Sequence, residues 1–226
     1  TGSTFDGYFC DFDRNYAFGK VTSDVEKVYH VLWQATEVGI KTAIPGATTN
    51  VIFNAINKII QNNVIKVWPT EGHAQSALEA AILLHSEVKE KIDDIKHIAI
   101  RSHAYTMKQV DRTGPLRNEA DRDHCIQYIV AIGLLQGRLT YEDYSDDRAA
   151  DPRIDALRDV TTVTVDDSFT NDYYDLNVKS DANAVQVYFK DGSSTDDIVV
   201  NFPLGHKIRR TDGGIDRIGE KFRENI

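Results

Sequence analysis

The stretch 118–136 constrains the fold most. Ile126, Ile129, Val130, Gly133 and Leu134 recur there at helical spacing. A helix this apolar must cover its face on another element, so the chain has to build a core around it. Its neighbours in sequence supply the partners. Residues 74–89 read as a helix with Leu78, Ala81, Ile82, His85 and Val88 in a stripe. Residues 97–103 read as a strand, because Ile98 and Ile100 alternate with polar neighbours. Downstream, Asp151-Pro152 gives a cap followed by proline at the first helical position. Residues 160–165 form a further strand. Residues 184–189 and 198–202 flank Lys190-Asp191-Gly192-Ser193 as a β-hairpin. Gly213-Gly214 precedes a short terminal helix. Helices segregated from a hairpin and a few strands predict an α+β unit, with helices packed on a small, mainly antiparallel sheet.

The first 62 residues have a different character. Residues 4–20 are aromatic and acidic and suit a strand or hairpin. Ser23 and Glu26 make a capping box, after which Val25, Val28, Tyr29, Leu32 and Thr36 follow at helical spacing. Pro45-Gly46 breaks that helix. Thr48 or Thr49 caps a second one, with Ile52, Ala55, Ile56 and Ile59 on one face. Asn62-Asn63 marks the break, which divides the chain into an N-terminal α/β fragment, 1–62, and the α+β unit, 63–226.

Charge narrows the partners. The formal net charge is −9, which disfavours nucleic acid and anionic membranes, since both reward a basic face. A small anionic substrate stays compatible, because a few local Lys and Arg override a distant net charge. Two cysteines, Cys10 and Cys125, are too few for a disulfide framework, a Cys₄ zinc site or an iron–sulfur cluster. They fit a reducing compartment, cytosol or mitochondrial matrix. No apolar run approaches the roughly 20 residues of a transmembrane helix, and no signal peptide opens the chain. Thr1 is not a start methionine, so a cut or processed N-terminus is expected.

Three stretches carry a specific resemblance: 66–81 (KVWPTEGHAQSALEAA), 114–144 (GPLRNEADRDHCIQYIVAIGLLQGRLTYEDY) and 203–214 (PLGHKIRRTDGG). Their order and spacing resemble the MmgE/PrpD family, and within it the 2-methylcitrate dehydratases. The likeness spans nearly all of 64–226. It implies a hydro-lyase that converts 2-methylcitrate to 2-methyl-cis-aconitate without a metal cluster or other cofactor. A relative of similar fold decarboxylates cis-aconitate. Family proteins are roughly twice as long as this segment, and a large helical domain before the matched region supplies part of their site. The resemblance therefore implies half a site here, completed in a homodimer or by a helical domain in trans. A non-catalytic binding or oligomerisation module is the competing reading.

The stretches 5–14 (FDGYFCDFDR) and 39–50 (GIKTAIPGATTN) resemble the creatinase/Xaa-Pro aminopeptidase, or pita-bread, family. That likeness implies a metal-ligand role for Asp11. The remaining ligands of the family's dinuclear centre would lie outside this segment, so no metal site is expected. Residues 1–62 then read as a fragment joined to a dehydratase half, by gene fusion or by an artefact of assembly.

Elimination of water from a hydroxy acid needs a base, an acid and cations for the carboxylates. His73 follows a proline turn at a helix start; it is a catalytic candidate by resemblance, or else a helix-capping histidine. Lys66 matches the family's lysine before an aromatic-Pro pair and is a carboxylate binder, or else a solvated edge lysine. Tyr128 matches a family tyrosine facing the site and is a proton or hydrogen-bond donor, or else core with a satisfied hydroxyl. Arg209 and Arg210, with His206 and Lys207, make the densest basic cluster and can cradle an anion, or else form a solvated turn. Cys125 reads as a buried, inert thiol, and Asp121, Arg122 and Asp123 as caps and ion pairs. Arg101 and His103 end a strand from which either can reach a cleft.

Overall fold

A computed structural model describes residues 2–5, 8–11, 20–21, 23–59, 66–175 and 177–209. The chain divides into two compact units, Thr1–Asn63 and Val64–Ile226.

In the first unit, β1 (Gly2–Phe5) pairs antiparallel with β2 (Tyr8–Asp11), Gly2 opposite Asp11 and Phe5 opposite Tyr8. Helix α1 (Ser23–Thr42) ends before a turn in which Gly46 takes φ +88°, a left-handed conformation that only glycine adopts freely. Helix α2 (Thr49–Asn57) follows. Thr48 is the residue that caps it, its side chain accepting from the Val51 N–H at 3.4 Å. The two helices meet at Gly39, where a Cβ would lie 2.9 Å from Ile56 Cδ1.

The second unit carries the core. A 3₁₀ turn, Gly72–Ala74, leads into α3 (Gln75–Val88). Strand β3 (Ile95–Ser102) is followed by α4 (Ala104–Gln109), α5 (Glu119–Asp123), α6 (Ile126–Gln136), α7 (Asp146–Ala149) and α8 (Pro152–Asp159). Then come β4 (Thr161–Val165), α9 (Asp167–Tyr174), β5 (Asn183–Phe189) and β6 (Ile198–Val200). The sheet order is β4-β3-β5-β6. Strand β3 runs parallel to β4, with Ile98 opposite Thr161, and antiparallel to β5, with Ile98 opposite Val187. Strands β5 and β6 form the expected hairpin, with Ala184 opposite Val199. The unit is α+β. Its sheet is mixed, because the long helical crossover from β3 delivers β4 in the same direction.

The segment 118–136 is two helices, not one. Asn118 caps α5 by accepting from the Asp121 N–H at 2.9 Å. Cys125 then turns extended, and the Ile126 N–H bonds the Val110 carbonyl at 2.9 Å. A tertiary hydrogen bond outcompetes helical continuity there. Beyond the break the expected burial holds, with Ile126, Ile129, Val130 and Leu134 inaccessible. Helix α6 packs on α3 so closely that a Cβ on Gly133 would sit 2.8 Å from Ala81 Cβ. Leu78, Ile98, Ile100, Val185 and Val187 complete this core. Each such side chain stabilises the fold by roughly 1.5–3 kcal/mol. No helix among the described residues is long and apolar enough to cross a membrane. The terminal helix expected after Gly213-Gly214 lies outside the described residues.

Candidate active site

Three chain segments converge at one end of the two central strands, β3 and β5. The C-terminal end of β3 delivers His103, which is fully buried at the N-cap of α4. The residues just before β5 deliver Asp181. The 3₁₀ turn before α3 delivers His73, whose N–H donates to the Glu71 carboxylate at 2.7 Å. Asn183, buried at the start of β5, ties the His73 turn to Asp181. Its Nδ2 donates to the His73 carbonyl at 2.9 Å and to Ser76 Oγ at 2.7 Å. Ser76 in turn donates to the Asp181 carbonyl at 2.5 Å.

One carboxylate oxygen is the hub. Asp181 Oδ1 lies 3.1 Å from His73 Nδ1 and 2.8 Å from His103 Nε2. The His103 ring stacks on Tyr173 with centroids 4.0 Å apart, and its Nε2 is also 2.9 Å from Thr106 Oγ1. Tyr105 and Tyr173 pack edge-on against His73, at 5.1 and 5.7 Å. These rings wall the cluster, yet the His73 side chain keeps 19% of its surface in contact with solvent.

The electrostatics follow from this geometry. Burial pulls His73 toward its neutral form, but the hydrogen bond and charge of Asp181, helped by Glu71, outweigh burial and the opposing charge of Lys66, so its pKa is raised. Burial opposes ionisation of Asp181, and the two imidazoles overcome it, leaving its pKa lowered. Burial pushes the Tyr173 phenol up to about 12. Two imidazoles and a carboxylate, with donor atoms all within 4.8 Å of one another, resemble a divalent-cation donor set. Here their separations are those of hydrogen bonds to a shared oxygen.

Of the residues singled out by sequence, Lys66 joins this cluster. It is exposed, its charge acts on both His73 and Asp123, and a Cβ on Gly72 would lie 3.8 Å from its Cε. Tyr128 lies elsewhere. It is 2% exposed, its hydroxyl donates to the Asp143 carbonyl at 2.6 Å, and burial pushes its pKa up to about 12. The Arg209 guanidinium donates to Glu79 at 2.7 Å and to the Phe202 carbonyl at 2.9 Å, fastening the loop after β6 to α3. Arg210 lies outside the described residues. Cys125 is buried, and burial raises its thiol pKa. Arg122 bonds the Tyr144 carbonyl and Asp146.

Asp181 and the pairing of His103 with it were not apparent from sequence. Asp181 stands 108 residues from His73 and 78 from His103, in a polar stretch without a local motif. A concavity of about 610 Å³, lined by Pro69, Glu119, Asp123, Tyr141, Glu142 and Tyr144 among others, contains none of the three hub residues. Its acidic wall suits an anion poorly, so the imidazole cluster is the better candidate.

Comparison with known proteins extends this picture. Residues 1–97 match the model of metallopeptidase family M24, an overlap that runs into the second unit. The chain is 48% identical over 172 residues to 2-methylcitrate dehydratase of Cupriavidus necator, which covers 74% of this chain and 35% of that protein. It is 46% identical over 159 residues to the mitochondrial 2-methylcitrate dehydratase of Yarrowia lipolytica, covering 69% and 31%. Against the Escherichia coli K12 2-methylcitrate dehydratase it is 44% identical, covering 74% and 35%. The chain thus spans about a third of the length of the curated relatives it matches. His73, Lys66, His103 and Asp181 all fall within or beside residues 68–226, which match the MmgE/PrpD C-terminal domain model, and through that domain the chain belongs to the MmgE/PrpD family.

Proposed function

We propose that this chain contributes one wall of the active site of a 2-methylcitrate dehydratase-type hydro-lyase. Its substrate is a small tricarboxylate, and the products are the unsaturated acid and water. The observation that carries this reading is the partly exposed His73, fixed on Asp181 with the charge of Lys66 beside it. Lys66 attracts a substrate carboxylate, and His73 handles a proton at the reacting carbons. The similarity to three proteins named 2-methylcitrate dehydratase supports the substrate class. The remaining groups come from a helical domain supplied in trans, or from a second copy. A reducing compartment, cytosol or mitochondrial matrix, suits the free buried Cys125. Residues 1–62 read as a pita-bread-type fragment.

Elimination requires acid and base on the correct sides of one carbon–carbon bond. Losing one such group costs on the order of 10²–10⁴-fold in rate. The chain alone should therefore dehydrate 2-methylcitrate at a small fraction of the ~10 s⁻¹ typical of enzymes. Adding the helical domain of a relative should raise the rate by at least about 10²-fold. The assay follows the absorbance of the conjugated unsaturated acid. No gain on complementation, with folded partners, would refute this reading.

A further inference from the structure

We propose that Asp181 and the buried His103 act as positioning residues that hold His73 as a doubly protonated imidazolium, so that its outward Nε2–H is the acid that protonates the leaving hydroxyl. The inference rests on the dehydratase reading above and assigns His73 one of the two proton-transfer roles.

Asp181 Oδ1 accepts at 2.8 Å from His103 Nε2 and at 3.1 Å from His73 Nδ1, so each of those nitrogens carries a hydrogen. His103 Nδ1 is buried with no hydrogen-bond partner among the described residues. A second proton on His103 would be a buried donor without an acceptor, which costs about 1–3 kcal/mol. His103 is therefore the neutral Nε2–H tautomer. It adds a donor to Asp181 and no charge, and its stacking on Tyr173 fixes the ring plane. The single negative charge of Asp181 is left to be matched by His73, the more exposed of the two rings.

The other groups around His73 are accounted for. Glu71, on the turn that carries it, favours the cation, and Lys66 opposes it. Tyr105 from α4 and Tyr173 from α9 present ring edges and faces rather than charge. Asp181 is the close carboxylate, and it faces Nδ1, which leaves Nε2–H on the far side of the ring.

The step balances. A Brønsted base, a carboxylate or imidazole contributed by the completing domain, removes the proton on the carbon next to a substrate carboxylate. That C–H electron pair becomes the second bond of the alkene. The C–O bond to the hydroxyl on the neighbouring carbon breaks, and the oxygen takes the proton from His73 Nε2 and leaves as water. His73 is left neutral and regains a proton from solvent, while the base gives the proton it took back to solvent.

The test is ¹⁵N–¹H long-range correlation NMR of the histidine-labelled chain across pH 5 to 9, which requires no turnover. The expected result has a His73 midpoint above the ordinary value of about 6.5, so that the doubly protonated ring predominates at that pH, and His103 as the Nε2–H tautomer wherever its ring is neutral. In Asp181→Asn the His73 midpoint falls below that value, and Asp181→Glu restores it. The wild-type spectrum decides even where the variants fail to fold. A His73 midpoint at or below the ordinary value, or one indifferent to Asp181→Asn, overturns the assignment. Citrate titration of the same sample separates the two levels: a charged His73 with no citrate-induced shifts refutes the dehydratase reading and leaves the proton assignment standing.

Discussion

Two imidazoles sharing one carboxylate oxygen tie the stability of the second unit to pH. The raised pKa of His73 means that its contribution is complete below the unfolded value of about 6.5 and is lost as pH rises through the folded value. The lowered pKa of Asp181 means that its contribution is present above about 3.8 and is lost as pH falls through the folded value. The pair therefore stabilises most between about pH 4 and 6.5. Asp181→Asn should destabilise by about 2–3 kcal/mol at pH 5.5, as expected for hydrogen bonds to charged groups, and by less at pH 9. Urea titrations at the two pH values check this, and an equal loss at both would contradict it. At this scale sequence showed only part of the candidate site. His73 and Lys66 were legible because they sit seven residues apart in one motif. Asp181 was not, because nothing local marks an aspartate whose partners arrive from β3 and the α3 turn. Tyr128 shows the opposite: a helical tyrosine beside apolar residues reads alike whether its hydroxyl meets substrate or, as here, the Asp143 carbonyl.

Helix α6 and its contact with α3 set the geometry on which the site is built. Gly133 is a point of close approach, and a methyl there would meet Ala81 Cβ and Leu78 Cδ1 at 2.8 and 3.0 Å. In an open helix Gly→Ala gains up to about 1 kcal/mol. In this packed one, overpacking outweighs the gain. Gly133→Ala should lose roughly 1–3 kcal/mol, seen as a lower urea midpoint with an unchanged slope. A raised midpoint would show that the helices can separate at no cost. Most elements were legible from periodicity and caps, including Thr48, Asp151-Pro152 and the β5–β6 hairpin. The split of 118–136 was not, since no proline or glycine stands between Asn118 and Ile132 and the helix is interrupted by the long-range bond from Ile126 to Val110. The parallel β4 pairing was equally hidden, because strand direction depends on the crossover and not on the strand's own residues.

At the scale of the molecule, the main core lies wholly within the second unit, from Val67 to Val200. The compact units divide at Asn63 and Val64. Residues 64–226 expressed alone should therefore fold, with a urea midpoint close to that of the second unit in the whole chain. A fragment without a cooperative transition would show that the first unit is part of its fold. On the proposed reading, His73 and Lys66 present a binding wall to a tricarboxylate. Calorimetric titration of 2-methylcitrate into the whole chain tests it most directly. A site completed elsewhere and relying on a few partly exposed charges should bind in the range of about 0.1–10 mM. Affinity should fall further in Lys66→Ala and His73→Gln, and with added salt. The same affinity in wild type and both variants, or no binding at 10 mM ligand in roughly 20 mM salt, would contradict the account.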